Sequence, residues 1–174
     1  MSSQLDALDL SLLRLLVSQP RAGTREFARL LGVARGTAQA RIARLEERGV
    51  IQSYAAQLSP HALGYRVQAF VHLHLAQGEL DAVTASIARL CAVLEAHSTT
   101  GEGDLLVRIV ARDNTELESV VQQLIQVPGV VRTRTELAMR ERIPYRVLPL
   151  VAALLAEPDG STGSPRRDET RRTQ

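Results

Sequence analysis

The chain has 174 residues, a net charge of +2 and a hydrophobic content of 45%, which are typical of an ordinary globular protein. Its aromatic content of 3% and lack of tryptophan argue against a base-stacking platform for single-stranded nucleic acid. The single cysteine, Cys91, excludes an intramolecular disulfide, and no apolar run could span a bilayer, so we expect a cytoplasmic protein with Cys91 half-buried on a helix.

Three short helices are predicted near the beginning of the chain. The first covers Leu5 to Val17, where leucines recur at helical spacing and Asp6 and Asp9 occupy the first turns, as the helix dipole favours. The second covers Thr24 to Leu31 and is followed by a glycine, and the third lies within Ala34 to Gly49. Two short helices joined by a glycine turn are typical of a helix-turn-helix, although a corner of a helical bundle has the same pattern.

Positive charge is concentrated on this helical segment. Between residues 21 and 44 there are six arginines and one acid, Glu26, a local excess of +5. Arginine, threonine and glutamine are side chains that contact base edges and phosphates of DNA. The predicted DNA-binding residues are Arg25, Arg35, Gly36, Thr37, Gln39, Arg41 and Arg44. We expect the side chains of residues 35, 37 and 39 to reach base edges and those of residues 41 and 44 to contact phosphates.

A strand that could serve as a wing or linker is predicted at Val50 to Ala56, and the proline and glycine within Leu58 to Gly64 indicate a hinge. Residues after 156 are polar and rich in Pro, Gly and Ser, which predicts a disordered tail. The expected domains are therefore a helix-turn-helix DNA-binding domain at 1–57, a hinge at 58–64, a domain for effector binding and oligomerisation at 65–155, and a tail at 156–174.

The second half alternates strand and helix patterns. Strands are predicted at Arg66–Leu75, Leu94–Thr99, Leu105–Ala111 and Val130–Leu137, and helices at Leu80–Leu94 and Asn114–Gln126, the latter opened by a capping box of Asp113 and Glu116. An apolar segment, Ile143 to Leu155, follows and is broken by two prolines. This order predicts an α+β protein in which a winged helix-turn-helix precedes a ferredoxin-like βαββαβ domain.

One face of such a sheet is not covered by its helices. On the first strand this face has Phe70, His72 and His74, and it is too apolar to remain exposed. A second copy of the same sheet is the simplest cover, so the sequence predicts a homodimer.

Three motifs together resemble the Lrp/AsnC family, the "feast/famine" transcription regulators. They are RLEERGVIQSY (Arg44 to Tyr54), TTGEGDLLVRI (Thr99 to Ile109) and VPGVVRTRTEL (Val127 to Leu137), and the resemblance covers nearly all of residues 5–140. It implies a protein that binds double-stranded DNA through its first domain and senses an amino acid or related small molecule through a RAM or ACT-like second domain. It also implies dimers that assemble into tetramers or octamers, with neither a cofactor nor a metal.

The resemblance places the effector site at residues 99–104, hereafter the glycine loop, and at the preceding strand. The implied effector-binding residues are His97, Thr99, Thr100, Gly101, Glu102, Gly103 and Asp104. The glycine amides can receive a carboxylate, and Glu102 or Asp104 can accept from an ammonium group. From the residues alone, a hairpin turn that needs its glycines for geometry is the simpler interpretation. Two positions depart from the family pattern, Gly103 in place of a bulkier residue and Ala34 in place of a Ser or Asp helix cap.

Other functions were weighed against a DNA-binding sensor. His72 and His74 point to the same side of one strand, but no acid or cysteine lies near them in sequence, so we expect packing rather than metal binding. Decarboxylases of the sirohaem-to-haem route resemble this family in both domains, yet the arginine excess on the helical segment favours DNA over enzymatic activity. An architectural DNA-binding protein without an effector is the remaining alternative.

Overall fold

The computed structural model describes residues 5–157, which form two compact units. The first, called the head, comprises residues 5–55 and 145–157, and the second, called the sheet unit, comprises residues 56–144. The tail expected at 156–174 lies, apart from its first two residues, outside the described residues. In the described part of the chain, no helix is long and apolar enough to cross a membrane.

The head contains the three predicted helices. They are α1 (Ala7–Ser18), α2 (Thr24–Leu31) and α3 (Arg35–Glu47). At the start of α1 the Asp6 side chain accepts from the Asp9 amide at 2.9 Å, and the Asp9 carboxylate accepts from the Asp6 amide at 3.4 Å, so the two acids form a capping box. Between α2 and α3, Gly32 adopts a left-handed conformation with φ of 66°, which makes the sharp turn possible. The core shared by these helices consists of Leu12, Leu15, Phe27, Ala28, Ala38 and Ile42.

The strand predicted at Val50 to Ala56 is not formed. The amides of Val50 and Ile51 instead donate to the Leu45 carbonyl at 2.9 and 3.2 Å, which holds the chain against the end of α3. A strand requires a neighbouring strand to complete its hydrogen-bond ladder, and none is present in the described part of the head. The wing prediction was therefore wrong, whereas the helix-turn-helix prediction is confirmed.

The apolar segment near the end of the chain forms a further helix, α6 (Leu148–Ala156). Pro149 lies at its second position, where proline is tolerated because amides of the first turn have no acceptor within the helix. The helix packs against α1. Residues 65–155 were expected to form one domain, whereas these contacts join the C-terminal segment to the head.

The sheet unit has the predicted ferredoxin-like topology. Its strands are β1 (Val67–Leu75), β2 (Val93–Ser98), β3 (Leu105–Ala111) and β4 (Val130–Leu137), and its helices are α4 (Leu80–Ile87) and α5 (Asn114–Ile125). All pairs are antiparallel in the order β2-β3-β1-β4, so the α+β fold class is confirmed. Alternate residues of β1, namely Ala69, Val71 and Leu73, are fully buried in a core with residues of both helices.

Helix α4 ends seven residues earlier than predicted. Leu90 and Val93 continue the helical spacing, and both pack against the sheet core, but they reach it from a turn and from the start of β2. The spacing of apolar residues could not distinguish a longer helix from a turn and strand that bury the same residues. Cys91 lies in that turn and is exposed, so the expectation of a half-buried helical thiol was wrong.

Candidate functional site

The first turns of α3 present an exposed polar surface. Arg35, Gly36, Thr37 and Gln39 are all exposed, whereas Ala38 between them is fully buried. Burial of every third or fourth residue fixes the rotation of α3 on the head core and leaves the intervening side chains in solvent. We call these four exposed residues the reading surface.

The arginines around this surface fall into two groups. Arg29 donates to Glu26 at 2.6 Å within α2, and Arg41 and Arg44 bind acids of α1. Arg25 and Arg35 are exposed and have no ion-pair partner within residues 5–157. The positive charge read from the sequence is thus partly neutralised inside the head.

Asp9 is the centre of the neutralised group. Its side chain is 1% exposed, and its carboxylate accepts from Arg41 Nη1 at 2.9 Å and from Arg44 Nη2 at 2.9 Å. Arg41 also donates to the neighbouring Asp6, and this hydrogen bond holds the pKa of the Asp6 carboxyl below its usual value. From their place in the first turns of α1, these acids were expected only to favour the helix dipole. The sequence does contain an indication of this cluster, because the two acids are three residues apart and so are the two arginines.

A cavity of about 930 Å³ lies in the head beside the reading surface. Its wall is mixed: Phe27 and Val151 are among its apolar residues, and α3 contributes Arg35, Gln39 and Glu46. The Glu46 carboxylate accepts from the Tyr54 hydroxyl at 2.6 Å. Partial burial, together with this hydrogen bond, raises the pKa of Tyr54 to about 12.

The glycine loop is a closed hairpin between β2 and β3. The Thr99 amide donates to the Asp104 carbonyl at 3.1 Å, and the Thr99 hydroxyl donates to the Gly103 carbonyl at 2.9 Å. Gly101 and Gly103 have φ of 130° and 116°, a region that side-chain-bearing residues rarely adopt. The backbone conformation of the loop is therefore sufficient to explain both glycines, whether or not the loop binds a ligand.

The two acids of the loop have different surroundings. Asp104 is bound to β1, since its amide donates to the Leu73 carbonyl at 2.8 Å and its carboxylate accepts from the Leu75 amide at 2.7 Å. Glu102 is exposed and forms an ion pair with Arg134 of β4. Asp104 thus braces the loop within its own protomer. His97 and Thr100 are exposed beside the loop, and Thr99 is half-buried.

The face of the sheet opposite the two helices, hereafter the open face, has both aromatic and charged side chains. Phe70, His72 and His74 are half-buried there, and His72 is paired across the sheet with Leu106 on β3 and Arg134 on β4. His72 Nδ1 is buried and has no hydrogen-bond partner within the described chain. Among the same residues, no cluster of three or more His, Cys, Asp or Glu side chains is arranged to hold a metal ion.

Comparison with known proteins covers both units. Residues 5–46 match the model of the AsnC-type helix-turn-helix domain, and residues 68–148 match that of the Lrp/AsnC ligand binding domain. The HTH-type transcriptional regulator FL11 of Pyrococcus horikoshii is 30% identical over 146 residues, covering 84% of this chain and 97% of the relative. The HTH-type transcriptional regulator Ptr1 of Methanocaldococcus jannaschii is 31% identical over 121 residues, covering 70% and 82%.

Solved structures give the same result. E. coli AsnC superposes with a TM-score of 0.78 at 25% identity, covering 84% of this chain and 99% of that chain. The feast or famine regulatory protein of M. tuberculosis complexed with L-methionine has a TM-score of 0.75 at 29% identity, covering 83% and 98%. With both domain models matched in order and relatives similar over nearly their whole length, this chain belongs to the Lrp/AsnC family of transcriptional regulators.

Proposed function

We propose that the chain is a sequence-specific DNA-binding regulator whose affinity for its operators changes when an amino acid or a related small molecule binds. The observation that carries this proposal is the reading surface, four exposed residues on the first turns of a helix whose opposite side is buried. Residues at this end of the second helix contact base edges in the major groove in helix-turn-helix proteins. The chain's relatives are transcriptional regulators, and we propose no enzymatic role for it.

On the reading surface, Arg35, Thr37 and Gln39 have side chains that hydrogen-bond base edges, and Gly36 allows the backbone to approach the DNA closely. Arg25 is exposed at the start of α2 and suits a phosphate contact. Arg41 and Arg44, expected from the sequence to contact phosphates, are already bound to Asp9, so we leave them out of the proposed surface.

For the effector we propose the glycine loop. Support comes from the relative that is complexed with L-methionine and from the exposure of Gly101 and Glu102 at the tip of the loop. Both acids of the loop can accept from an ammonium group: Glu102 is exposed beside its ion-pair partner Arg134, and Asp104 is exposed with one carboxylate oxygen that the Leu75 amide does not occupy. His97, Thr99 and Thr100 border the same loop, and Gly103 shapes it through its backbone.

We further propose a homodimer formed through the open face, assembling into tetramers or octamers. The half-buried rings of Phe70, His72 and His74 lose their contact with water when a second copy covers this face. Phe70→Glu should convert the protein to monomers in sedimentation experiments, because it replaces an apolar ring of the contact by a charge that a second copy would have to strip of water. Ile125→Glu, at a 40% exposed side chain of α5 on the side of the sheet away from the open face, is the matched control and should leave assembly unchanged. Equal assembly states in the two variants would contradict the open-face dimer.

The DNA and effector proposals are tested together. The wild-type protein is used to select duplexes from a random pool, and Gln39→Ala should then select a different sequence. Affinity for the selected duplex is measured at fixed salt with each of the twenty amino acids in turn. Glu102→Gln should reduce the response to the active amino acid, whereas Glu118→Gln, an exposed acid on α5, should not. A wild type that selects a sequence but responds to no amino acid would favour the architectural alternative.

A further inference from the structure

The buried acid of the head binds the helix that reads DNA. Among the described residues, Asp9 is the one polar or charged residue that is fully buried. A buried carboxylate is tolerated only when its charge and its lone pairs are satisfied, and both cations that neutralise Asp9 come from α3, beside the weaker capping bond from the Asp6 amide. The rotational setting of α3 on the head is therefore linked to one residue of α1.

The geometry of the two arginines keeps them on the α1 side. At 3.6 residues per turn, Arg41 and Arg44 lie about 60° apart on one flank of α3. Arg44 Nη2 lies 3.1 and 2.9 Å from the two Asp9 oxygens, and Arg41 Nη1 donates to Asp9 and to Asp6. Two guanidinium groups and two carboxylates form a neutral cluster, which gives a DNA phosphate little electrostatic attraction.

We propose that Asp9 is a positioning residue that sets the sequence specificity of DNA binding, by withholding Arg41 and Arg44 from the phosphates. The proposal rests on the DNA-binding function proposed above. Phosphate contacts raise affinity for every sequence alike, whereas base contacts separate one sequence from another. By holding two arginines in a neutral cluster, Asp9 lowers the non-specific affinity and leaves recognition to the reading surface.

The test uses the full chain and two DNA probes, the duplex that the wild type selects from a random pool and a random-sequence duplex. Asp9→Asn keeps the shape of the side chain and removes its charge. We expect the binding constant for the random duplex to rise and its logarithmic salt slope to steepen by up to about 1.8, the value for two added phosphate contacts. The ratio of selected to random affinity should fall.

Glu26→Gln is the matched control. It also removes one acid from the head and releases one arginine, Arg29, but this exposed pair lies within α2 and does not touch α3. It should steepen the slope by at most about 0.9 for both duplexes and leave their affinity ratio unchanged. A general effect of net charge would instead give the two variants the same ratio.

A second variant covers the case in which Asp9→Asn does not fold. Asp9→Leu with Arg41→Met and Arg44→Leu replaces the cluster by apolar side chains, a change that buried ion-pair clusters often tolerate. We expect it to keep the wild-type salt slope and affinity ratio, because no arginine is released. A slope flatter by about 1.8 would overturn the proposal, since Arg41 and Arg44 would then contact phosphates in the wild type.

Two other outcomes also overturn it. If Asp9→Asn folds and weakens both duplexes equally without changing the slope, Asp9 has only a stabilising role. If the wild type binds neither duplex, the proposed function fails together with this inference. If the wild type binds the selected duplex but the variants do not behave as expected, only this inference fails.

Discussion

Alanine at Gly103 tests how tightly the glycine loop is held against β1. The φ of 116° disfavours any residue with a side chain, which costs about 1–3 kcal/mol. An added Cβ would also lie 3.2 Å from the Leu73 carbonyl oxygen and 3.3 Å from the His72 Cβ, atoms that cannot rotate away. Such crowding costs about 1–3 kcal/mol more. We therefore expect Gly103→Ala to lower the free energy of unfolding by about 2–6 kcal/mol.

Gly101→Ala is the control, because Gly101 has a similar φ of 130° but no atom within 4 Å of the added Cβ. Only the backbone strain of about 1–3 kcal/mol applies there. Urea unfolding followed by circular dichroism gives the difference between the variants, and amide exchange at Leu75 and Asp104 reports whether the loop has detached from β1. Equal stabilities for the two variants would refute the close approach on which this reasoning rests.

Two further predictions concern the acids and the tyrosine of the head. The pKa of Asp6 is lowered by its hydrogen bond to Arg41, so its contribution to stability is present above the unfolded pKa of about 3.9 and is lost as pH falls through the folded pKa. The difference in thermal midpoint between wild type and Asp6→Asn should therefore be larger at neutral pH than in acid, and a pH-independent difference would contradict this. Tyr54 should titrate near pH 12, and Glu46→Gln should lower this pKa, as followed by tyrosinate absorbance with Tyr65 and Tyr145 changed to Phe. Titration of Tyr54 at about 10, the ordinary value, would contradict both the removal of water from its hydroxyl and the hydrogen bond to Glu46.

Local patterns were sufficient for most of the fold. The sequence predicts the bounds of α2, β3 and β4 as the structure has them, because a glycine, the alternation of side chains or a Pro-Gly turn marks each boundary. The prediction failed where an element depends on a distant partner. The strand at Val50–Ala56 lacks a neighbour, and the position of α6 depends on α1.

The candidate sites show the same division. Exposure of Gln39 follows from helical spacing, so the reading surface was accessible to sequence analysis. The pairing of Arg41 and Arg44 with Asp9 was not, because it joins residues more than thirty positions apart. Asp104 was expected to accept from an ammonium group, and only the three-dimensional register of β1 places the Leu75 amide against its carboxylate.

The contact between α1 and α6 has a consequence for biosynthesis. About 130 residues separate the end of the first helix at Ser18 from the start of the last at Leu148. At about 5–20 residues per second, translation leaves a delay on the order of 10 s before α6 can reach its place. During that interval the α1 surface that α6 covers is open to the nascent chain's surroundings, including neighbouring ribosomes and chaperones. Completion of the head thus waits until α6 has been made, even though its first three helices are made long before.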